Sequence, residues 1–382
     1  MKLIRICSIF LTLTFIFALL LPVSALEIKN PGLEPEVKSA VLMDVNTGTI
    51  LYEKNAKESL PMASVTKIMT LLLVFEALKS QKLALADTLV ISEYAASMGG
   101  SQVFLEPGEE MSVEDLIKSV VVASANDAAV ALAEHIGGSE EAFVSEMNKR
   151  ATELGLASTH FENVTGLDDD TVNHFSSALD IAIMSQELLK NHQEITKYST
   201  IWMDTIRNGE FGLANTNRLV RYYQGITGLK TGSTDKAGFC VSASAKRDDL
   251  HLVAVIMGAS TSKERNYWAT KLLDFGFANY SMYSDTEKEL CELDVYGASK
   301  KKIKIGHNDV HLLVSKGTAG NVSKSYEYFD HLVAPVNEND IAGKVTYTLN
   351  GEVIHTENIY CLESAEKMTF FEYFVTVLKN IF

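Results

Sequence analysis

Two stretches of the chain have the pattern of apolar runs separated by turn-forming polar residues that is typical of paired β-strands. Residues 40–53 form two apolar-rich runs around Asn-Thr-Gly, a triplet that accepts the dihedral angles of a tight turn. Residues 239–245 and 250–257 form a second pair of runs, separated by the charged segment 246–249. The pattern predicts an N-terminal hairpin and a later strand pair, joined in one antiparallel sheet.

Three other stretches have the pattern of buried helices. Over about 64–79 the apolar residues recur every three or four positions, so one face of a helix is expected to be buried. Residues 113–135 are mostly apolar and rich in alanine, and the polar segment 124–127 interrupts them, which predicts two helices joined by a turn. A further helical stretch covers 263–277. Helices packed on an antiparallel sheet make this an α+β domain.

Beyond about residue 285 the helical pattern disappears until the end of the chain. Short apolar runs at 293–296, 302–305, 310–314 and 343–349 are separated by turn-forming residues. Such runs are typical of short strands. A small all-β domain is therefore expected to follow the α+β domain.

The last residues, 367–382, have apolar side chains on one helical face and polar side chains on the other. A helix of this kind suits the surface of a membrane. The four charges at its start and along it cancel, so hydrophobic area rather than anionic lipid would hold it there. The alternative is a terminal helix that docks on its own protein.

The first residues have the three parts of a secretory signal peptide. Lys2 and Arg5 precede an apolar run over 6–23, and Val23 and Ala25 place small residues at the two positions that define a cut after Ala25. The alternative is an uncleaved membrane anchor, because the run is about long enough to span a bilayer.

These patterns divide the chain into four segments. We expect a signal peptide over 1–25, the α+β domain over 26–284, the β-rich domain over 285–364 and the amphipathic helix over 365–382. The protein is accordingly expected to be exported and to act at the outer face of the cytoplasmic membrane, in the cell wall.

Composition narrows the classes of partner. The 382 residues include 34 Lys and Arg against 49 Asp and Glu, a formal charge of -15, and removal of residues 1–25 with their two positive charges leaves -17. Such an acidic chain is a poor binder of nucleic acid. The four cysteines, of which Cys7 lies in the signal peptide, are too few for a disulfide scaffold. His-Glu-x-x-His and Cys-x-x-Cys are absent from the sequence, and no metal or other cofactor is implied.

The segment 64–67, Ser-Val-Thr-Lys, places a serine and a lysine one helical turn apart on the same face. A serine hydroxyl is a weak nucleophile unless a base removes its proton, and a desolvated lysine is neutral enough to do so. Taken alone, the pattern is equally typical of a solvated helix face.

Two further polar segments lie where a cleft is expected. Ser124-Ala125-Asn126 interrupts two buried helices, where its hydroxyl and amide would point into a cleft, although such a segment alone is more often a helix cap. The segment 230–233, Lys-Thr-Gly-Ser, opens a strand whose glycine leaves room for another backbone. An extended substrate can pair along such an edge, but an ordinary solvated edge strand has the same pattern.

The three segments in this order are similar to the active-site set of penicillin-binding proteins and serine β-lactamases. Over roughly 35–280 the chain resembles the low-molecular-weight penicillin-binding proteins, specifically the serine-type D-alanyl-D-alanine carboxypeptidases of peptidase family S11. The likeness extends to the residues that flank the three motifs and to a central Asn-x-x-Gly-Leu segment at 163–167. It implies a β-lactamase/transpeptidase-like fold for the α+β domain, and the small β domain and amphipathic tail also occur in this family.

The resemblance implies a role for each matching residue. Ser64 would attack the carbonyl of the penultimate D-alanine of a peptidoglycan stem peptide and form an acyl-enzyme, and β-lactam antibiotics would acylate it covalently. Lys67 would be the general base, and Ser124 would bridge toward Lys67 and Lys230 and pass the proton to the leaving amine. The residues expected to bind the substrate are Asn126, Lys230, Thr231, Gly232, Ser233 and Arg247.

Within that set the resemblance assigns separate contacts. Asn126 would hold a peptide group, Lys230 and Thr231 would face the terminal carboxylate, and Arg247 would assist them. The backbone N–H groups of Ser64 and Ser233 would form the oxyanion hole.

Two other functions remain open at this point. A serine β-lactamase shares the three motifs, but it needs a dedicated carboxylate for deacylation, and we find no Glu-x-x-x-Asn in the region expected for it. A catalytically silent peptidoglycan-binding module would keep the fold without turnover, and the intact serines and lysines of the motifs argue against it.

Overall fold

The structure, a computed structural model, describes residues 32–169 and 171–381, so the predicted signal peptide lies outside the described residues. The chain divides into two compact units, the first ending at Tyr280 and the second beginning at Ser281. Each is described below by itself.

The first unit is built on a five-stranded antiparallel sheet. The strands of this unit are β1 (Ser39–Asp44), β2 (Ile50–Lys54), β3 (Thr88–Val90), β4 (Glu110–Ser112), β5 (Met203–Ile206), β6 (Phe211–Ala214), β7 (Ile226–Thr234), β8 (Gly238–Arg247) and β9 (Leu250–Ala259). The main sheet has the order β2-β1-β9-β8-β7, and β3-β4 and β5-β6 form separate two-stranded ribbons. The N-terminal hairpin and the later strand pair predicted from the apolar runs and turns are confirmed.

Helices cover both faces of this sheet. They are α1 (Lys67–Lys79), α2 (Glu93–Ala96), α3 (Val113–Lys118), α4 (Asn126–Gly137), α5 (Glu140–Glu153), α6 (Ala178–Asn191), α7 (Ile195–Ser199), α8 (Leu219–Tyr222) and α9 (Ser262–Asn279). In β9 every residue except Gly258 is buried. Alternate residues of β9 (Val253, Val255, Met257) join the core of the helical block, while Leu252 on the other face meets Gly276 of α9. Burial on both faces explains why β9 reads as a continuous apolar run.

The structure corrects the start of the first predicted helix. Ser64 lies in a 3₁₀ turn, Ala63–Thr66, and the α-helix begins only at Lys67. The N–H of Lys67 donates to the carbonyl of Ser64, the three-residue spacing that tightens a helix start. Apolar periodicity cannot distinguish this turn from an α-helix, because both bury the same side of a short segment.

The second unit contains the β-rich part of the chain. Its strands are β10 (Tyr280–Asp285), β11 (Cys291–Tyr296), β12 (Lys302–Gly306), β13 (Val310–Ser315), β14 (Val322–Tyr328), β15 (Leu332–Val333), β16 (Ile341–Leu349) and β17 (Glu352–Cys361). A six-stranded sheet has the order β14-β16-β17-β12-β11-β15, and β10 pairs with β13. The four predicted strands are confirmed as β11, β12, β13 and β16, whereas β10, β14, β15 and β17 were not predicted.

The chain ends in an amphipathic helix, α10 (Phe370–Ile381). Phe370 is 87% exposed and Phe371 is 73% exposed. Within the described residues, no helix is both long enough and apolar enough to cross a membrane. The cysteines of the described part of the chain, Cys240, Cys291 and Cys361, are free thiols.

Candidate active site

The 3₁₀ turn and α1 bring Ser64 and Lys67 together. The Oγ of Ser64 and the Nζ of Lys67 are 3.0 Å apart. The Lys67 side chain is fully buried, although an unpaired charge there would be costly. Burial is the largest cause that lowers the pKa of Lys67 well below 10.5, and the nearby charge of Lys230 lowers it further, against a smaller opposing effect of Asp127. These surroundings favour the neutral form of the Lys67 amine, which is the form that can take a proton from the serine hydroxyl.

Two further contacts orient this amine. Lys67 Nζ donates to the Oδ1 of Asn126 at 2.6 Å and to the carbonyl of Thr165 at 2.8 Å. Both partners are acceptors only, and the Oγ of Ser64 accepts from the same Nζ at 3.0 Å. Once the amine has lost one proton, Asn126 and Thr165 can hold its two remaining N–H bonds, which leaves a lone pair for the proton of Ser64. This arrangement is what general-base activation of a serine requires.

The second motif lies at the junction of two buried helices, as predicted. A π-helical turn, Ser119–Ala123, ends at Ser124, whose φ of 63° is left-handed, and α4 begins at Asn126. This conformation aims the Ser124 hydroxyl at Lys230, and the Oγ to Nζ distance is 2.7 Å. Among the described residues no hydrogen bond joins Ser124 to Lys67, so only the Lys230 half of the predicted bridge is present.

Asn126 is engaged inside the protein rather than in the open cleft. Its Oδ1 accepts from Lys67, and its Nδ2 donates to the carbonyl of Gly99 at 2.7 Å. The residue is 2% exposed. The observed contacts give Asn126 a positioning role toward Lys67, and its predicted grip on a substrate peptide group stays a prediction.

The third motif occupies β7, the edge strand of the main sheet. Lys230 is 1% exposed, and burial, followed by the charge of Arg265, lowers its pKa to about 7. Its Nζ also donates to the carbonyl of Thr231 at 3.0 Å. Lys230 is thus poised to exchange a proton with Ser124 near neutral pH, and it is a poorer fixed charge for a carboxylate than the sequence suggested.

Gly232 allows β7 to touch the turn that carries the nucleophile. A Cβ at this position would lie 2.8 Å from the backbone nitrogen of Ser64 and 2.9 Å from that of Val65. Only glycine permits this approach. The motif therefore needs glycine here for contact between two backbones, as well as for access of a substrate.

A cavity of about 560 Å³ opens between these elements. The residues that line it are Ser64, Ser101, Ser124, Thr216, Arg218, Thr231, Gly232, Ser233, Phe239, Ser262, Lys263, Arg265 and Asn266. Ser64 and Ser124 contribute hydroxyls, whereas Lys67 and Lys230 stay buried behind them. The cavity thus has the nucleophile at its wall and positive charge at Arg218, Lys263 and Arg265.

Arg247 is a correction to the sequence-based set. Its guanidinium packs 4.4 Å from the ring of Phe277 and 4.9 Å from that of Tyr223, away from the cavity. Along β8, Arg247 is eight residues beyond Phe239, which lines the cavity, and this corresponds to about 26 Å of extended strand. The prediction relied on the closeness of Arg247 to the third motif in the sequence. It failed because the two ends of an extended strand lie far apart in space.

Sequence reasoning missed Arg218 and Arg265. Arg265 is 6% exposed, and burial, the largest cause, lowers its pKa to about 10, so it stays charged at neutral pH. It lies on α9, and Arg218 immediately precedes α8. Neither residue belongs to a recognisable motif. The only signal in the sequence is that each is a basic residue near the start of a helix.

A loop over 163–168 supports the nucleophile turn from behind. Gly166 packs so closely that a Cβ there would lie 1.9 Å from the carbonyl oxygen of Ala63. Beside it, the Oγ1 of Thr66 donates to the carbonyl of Ala63 and lies 2.7 Å from the Nε2 of His174. The Nδ1 of His174 accepts from the N–H of Glu162, so Nε2 carries the proton. These contacts fix the turn that presents Ser64.

One Glu-x-x-x-Asn segment does occur at 187–191, on α6. Glu187 accepts a hydrogen bond of 2.7 Å from the guanidinium of Arg150, and neither residue lines the cavity. This carboxylate is therefore not placed to activate a water beside Ser64.

Comparison with known proteins identifies the family. The family described as D-alanyl-D-alanine carboxypeptidase matches residues 26–261, and the C-terminal domain of penicillin-binding protein 5 matches residues 277–367. The D-alanyl-D-alanine carboxypeptidase DacF of Bacillus subtilis is 44% identical over 359 residues, which cover 92% of this chain and 90% of that protein. DacC of Escherichia coli is 33% identical and covers 88% of this chain and 86% of its own length.

Solved structures agree with the sequence matches. Penicillin-binding protein 5 of Haemophilus influenzae superposes with a TM-score of 0.75 at 34% identity, over 89% of this chain and 100% of that chain. Penicillin-binding protein D2 of Listeria monocytogenes, in its ampicillin-bound form, has a TM-score of 0.57 at 32% identity, over 65% of this chain and all of its own. The predicted fold class is confirmed. The buried lysine beside a serine, the two further motifs and these matches together place the chain in the D-alanyl-D-alanine carboxypeptidase family of low-molecular-weight penicillin-binding proteins, peptidase family S11.

Proposed function

We propose that the enzyme removes the terminal D-alanine from peptidoglycan stem pentapeptides through an acyl-enzyme on Ser64. The observation that carries this proposal is the buried amine of Lys67, which lies 3.0 Å from the Ser64 hydroxyl and is held by two further acceptors. A geometry of this kind supports transfer of the serine proton as the new C–O bond forms.

The proposed acylation runs through one tetrahedral intermediate. Ser64 Oγ attacks the carbonyl of the penultimate D-alanine, and its proton passes to Lys67. The oxyanion is stabilised by the N–H groups of Ser64 and Ser233, which flank the cavity wall. Ser124 delivers a proton to the leaving nitrogen and takes one from Lys230, 2.7 Å away, and free D-alanine departs. Water then attacks the ester and gives up a proton through Ser124 to Lys230. As the Ser64–acyl bond breaks, Lys67 returns its proton to Ser64 Oγ, and the shortened peptide is released.

A β-lactam would follow the same first step. Attack of Ser64 on the strained lactam carbonyl opens the ring, and the amine stays attached to the acyl group. No carboxylate lines the cavity among the described residues, which supports slow hydrolysis of that adduct. Covalent labelling of Ser64 by penicillin is therefore part of the proposal.

Release of D-alanine tests the proposal directly. Residues 26–382 and their Ser64→Ala variant would be assayed with diacetyl-L-Lys-D-Ala-D-Ala, with Ser80→Ala, at the exposed end of α1, as the control. We expect release by the parent and by the control, and none by Ser64→Ala. Absence of release by the parent, or equal release by Ser64→Ala, would contradict the proposed reaction.

The substrate carboxylate is proposed to meet the guanidinium of Arg218, backed by Arg265. Loss of a charge-assisted hydrogen bond costs about 1.5–3 kcal/mol. Arg218→Ala should accordingly lower kcat/KM for diacetyl-L-Lys-D-Ala-D-Ala by about 10- to 100-fold. Arg247→Ala is the matched control and should keep the parent value. A large loss in Arg247→Ala with none in Arg218→Ala would reverse the assignment.

For localisation we propose export directed by residues 1–25 and attachment of the mature protein to the outer face of the membrane by α10. The exposure of Phe370 and Phe371, with Phe374 at 52%, supports a hydrophobic contact with lipid. Cutting before Lys367 should release the protein from sedimenting phosphatidylcholine vesicles and leave turnover of the soluble peptide unchanged. Continued sedimentation of the truncated protein would show that α10 is not the anchor.

A further inference from the structure

Two aromatic side chains of the first unit stand together at the surface. Phe104 is 64% exposed, and its ring centroid lies 6.2 Å from that of the partly buried Phe211. The φ of Phe104 is 56°, a left-handed conformation that bulky residues rarely adopt. Residues held in strained conformations of this kind cluster at active sites and ligand-binding sites. We call this pair the aromatic rim.

The backbone beneath Phe104 is held on both sides. The carboxylate of Asp127, which is fully buried, accepts from the N–H groups of Val103 and Leu105. The guanidinium of Arg207 donates to the carbonyls of Val103 and Phe104 at 2.9 and 3.0 Å. Phe104 is therefore exposed on a fixed support.

Arg207 also joins the two halves of the rim. It pairs with Glu109 through two hydrogen bonds of 2.6 and 2.9 Å, and its guanidinium lies 5.3 Å from the ring centroid of Phe211. Arg207 follows β5 and Phe211 opens β6, so this ribbon is tied to the segment that carries Phe104.

Both segments that carry the rim also contribute residues to the active-site cavity. Ser101, three residues before Phe104, lines the cavity, and its carbonyl accepts from the N–H of Asn126 at 2.7 Å. On the other side, β6 leads within two residues to Thr216, which also lines the cavity. Each ring therefore stands on a segment that also reaches the cavity wall.

We infer that the aromatic rim binds the stem peptide on the N-terminal side of its D-Ala–D-Ala end. This inference rests on the proposed function and adds a subsite to it. The three residues on the N-terminal side of the D-Ala pair span about 10 Å when extended. This equals the maximum length of the backbone from Ser101 to Phe104. Their methylene groups are apolar, and aromatic faces pack against such groups. A sugar attached to the peptide begins only beyond that distance.

Two substrates of different length separate this subsite from the reacting centre. Diacetyl-L-Lys-D-Ala-D-Ala lacks the first two residues, whereas L-Ala-γ-D-Glu-L-Lys-D-Ala-D-Ala contains them. The variants are Phe104→Gly, which relieves the left-handed strain and so preserves the backbone, and Phe211→Ala. Met203→Ala is the matched control, because Met203 is 69% exposed and lies on the opposite face of the same ribbon.

We expect the ratio of kcat/KM for the long peptide to that for the short one to fall about tenfold in each rim variant, the amount expected for an aromatic contact. Met203→Ala should keep the parent ratio, and so should Phe104→Tyr, which retains an aromatic ring at position 104. An unchanged ratio in both rim variants would overturn the inference. A third substrate, the same pentapeptide with N-acetylmuramic acid attached, tests for binding of the sugar. A loss of kcat/KM seen only with this substrate would also overturn the inference, because the rim would then bind the sugar.

A binding measurement keeps this inference separate from the proposed reaction. Fluorescein-labelled pentapeptide would be titrated into Ser64→Ala protein with and without Phe104→Gly. We expect about tenfold weaker binding with Phe104→Gly, whether or not the parent releases D-alanine. Failure of the parent to release D-alanine would contradict the proposed function alone, and equal binding by the two proteins would contradict the rim alone.

Discussion

Replacing Lys67 by alanine should slow acylation of Ser64 by labelled penicillin by about 10²–10⁴-fold, the usual contribution of a general base. The reason is that Lys67 Nζ is the amine hydrogen-bonded to the Ser64 hydroxyl, at 3.0 Å. Lys79→Ala, at the exposed end of the same helix, is the matched control and should acylate at the parent rate. Stopped-flow measurement of the second-order rate constant gives both values.

The pH dependence of the same rate provides a second readout. A general base acts only when it is neutral, so acylation should rise with pH through the pKa of Lys67. Because burial and Lys230 hold that pKa well below 10.5, the rate should reach its plateau well below pH 10.5. A parent rate that still rises at pH 10.5, or a Lys67→Ala rate close to the parent's, would show that another group takes the proton.

Gly166→Ala should destabilise the first unit and abolish acylation together. A Cβ at Gly166 would lie 1.9 Å from the carbonyl oxygen of Ala63, so the turn that carries Ser64 must move. Alanine at a φ of 83° adds backbone strain. We expect a loss of about 3 kcal/mol in the free energy of unfolding, within the range for overpacking with strain.

Gly155→Ala is the control that separates the steric clash at Gly166 from the backbone strain of alanine at a positive φ. Gly155 has a φ of 71°, and a Cβ there would meet nothing within 4 Å. This control should lose only about 1 kcal/mol and acylate normally. Urea denaturation and penicillin labelling, measured on both variants, test the comparison. Equal effects of the two substitutions would mean that the loop over 163–168 does not buttress the nucleophile turn.

The elements that could be predicted are those with strong apolar patterning. β1, β2, β8 and β9 supply the buried sheet, and their alternating or continuous apolar runs are visible in the sequence. β14, over Val322–Tyr328, was missed because it is an edge strand of the six-stranded sheet and none of its residues is fully buried. β17, over Glu352–Cys361, is mostly exposed or half-buried for a similar reason. Where little area is buried, the hydrophobic pattern that marks a strand is weak.

The candidate site likewise contains some residues that could be predicted from the sequence and others that could not. Ser64, Lys67, Ser124 and Lys230 could be found because their order along the chain is distinctive. The structure brings the two serines to the cavity wall, each hydrogen-bonded to one of the two buried lysines. Arg247 and Arg265 show the limit of such reasoning. The first is close in sequence to the third motif and distant from the cavity, whereas the second is distant in sequence and lines it.

The sequence by itself determined which reacting groups the protein has, their order, and the family to which they belong. It also determined the sheet and helices whose burial patterns are strong. The tertiary structure alone decided how the pKa values of the two lysines are lowered, because a pKa depends on the burial and charges around a group. Those come from Lys230, Arg265 and the packed helices rather than from neighbours along the chain. It likewise decided which arginines face the cavity and where the aromatic rim stands, since contacts between segments a hundred residues apart leave no local pattern to read.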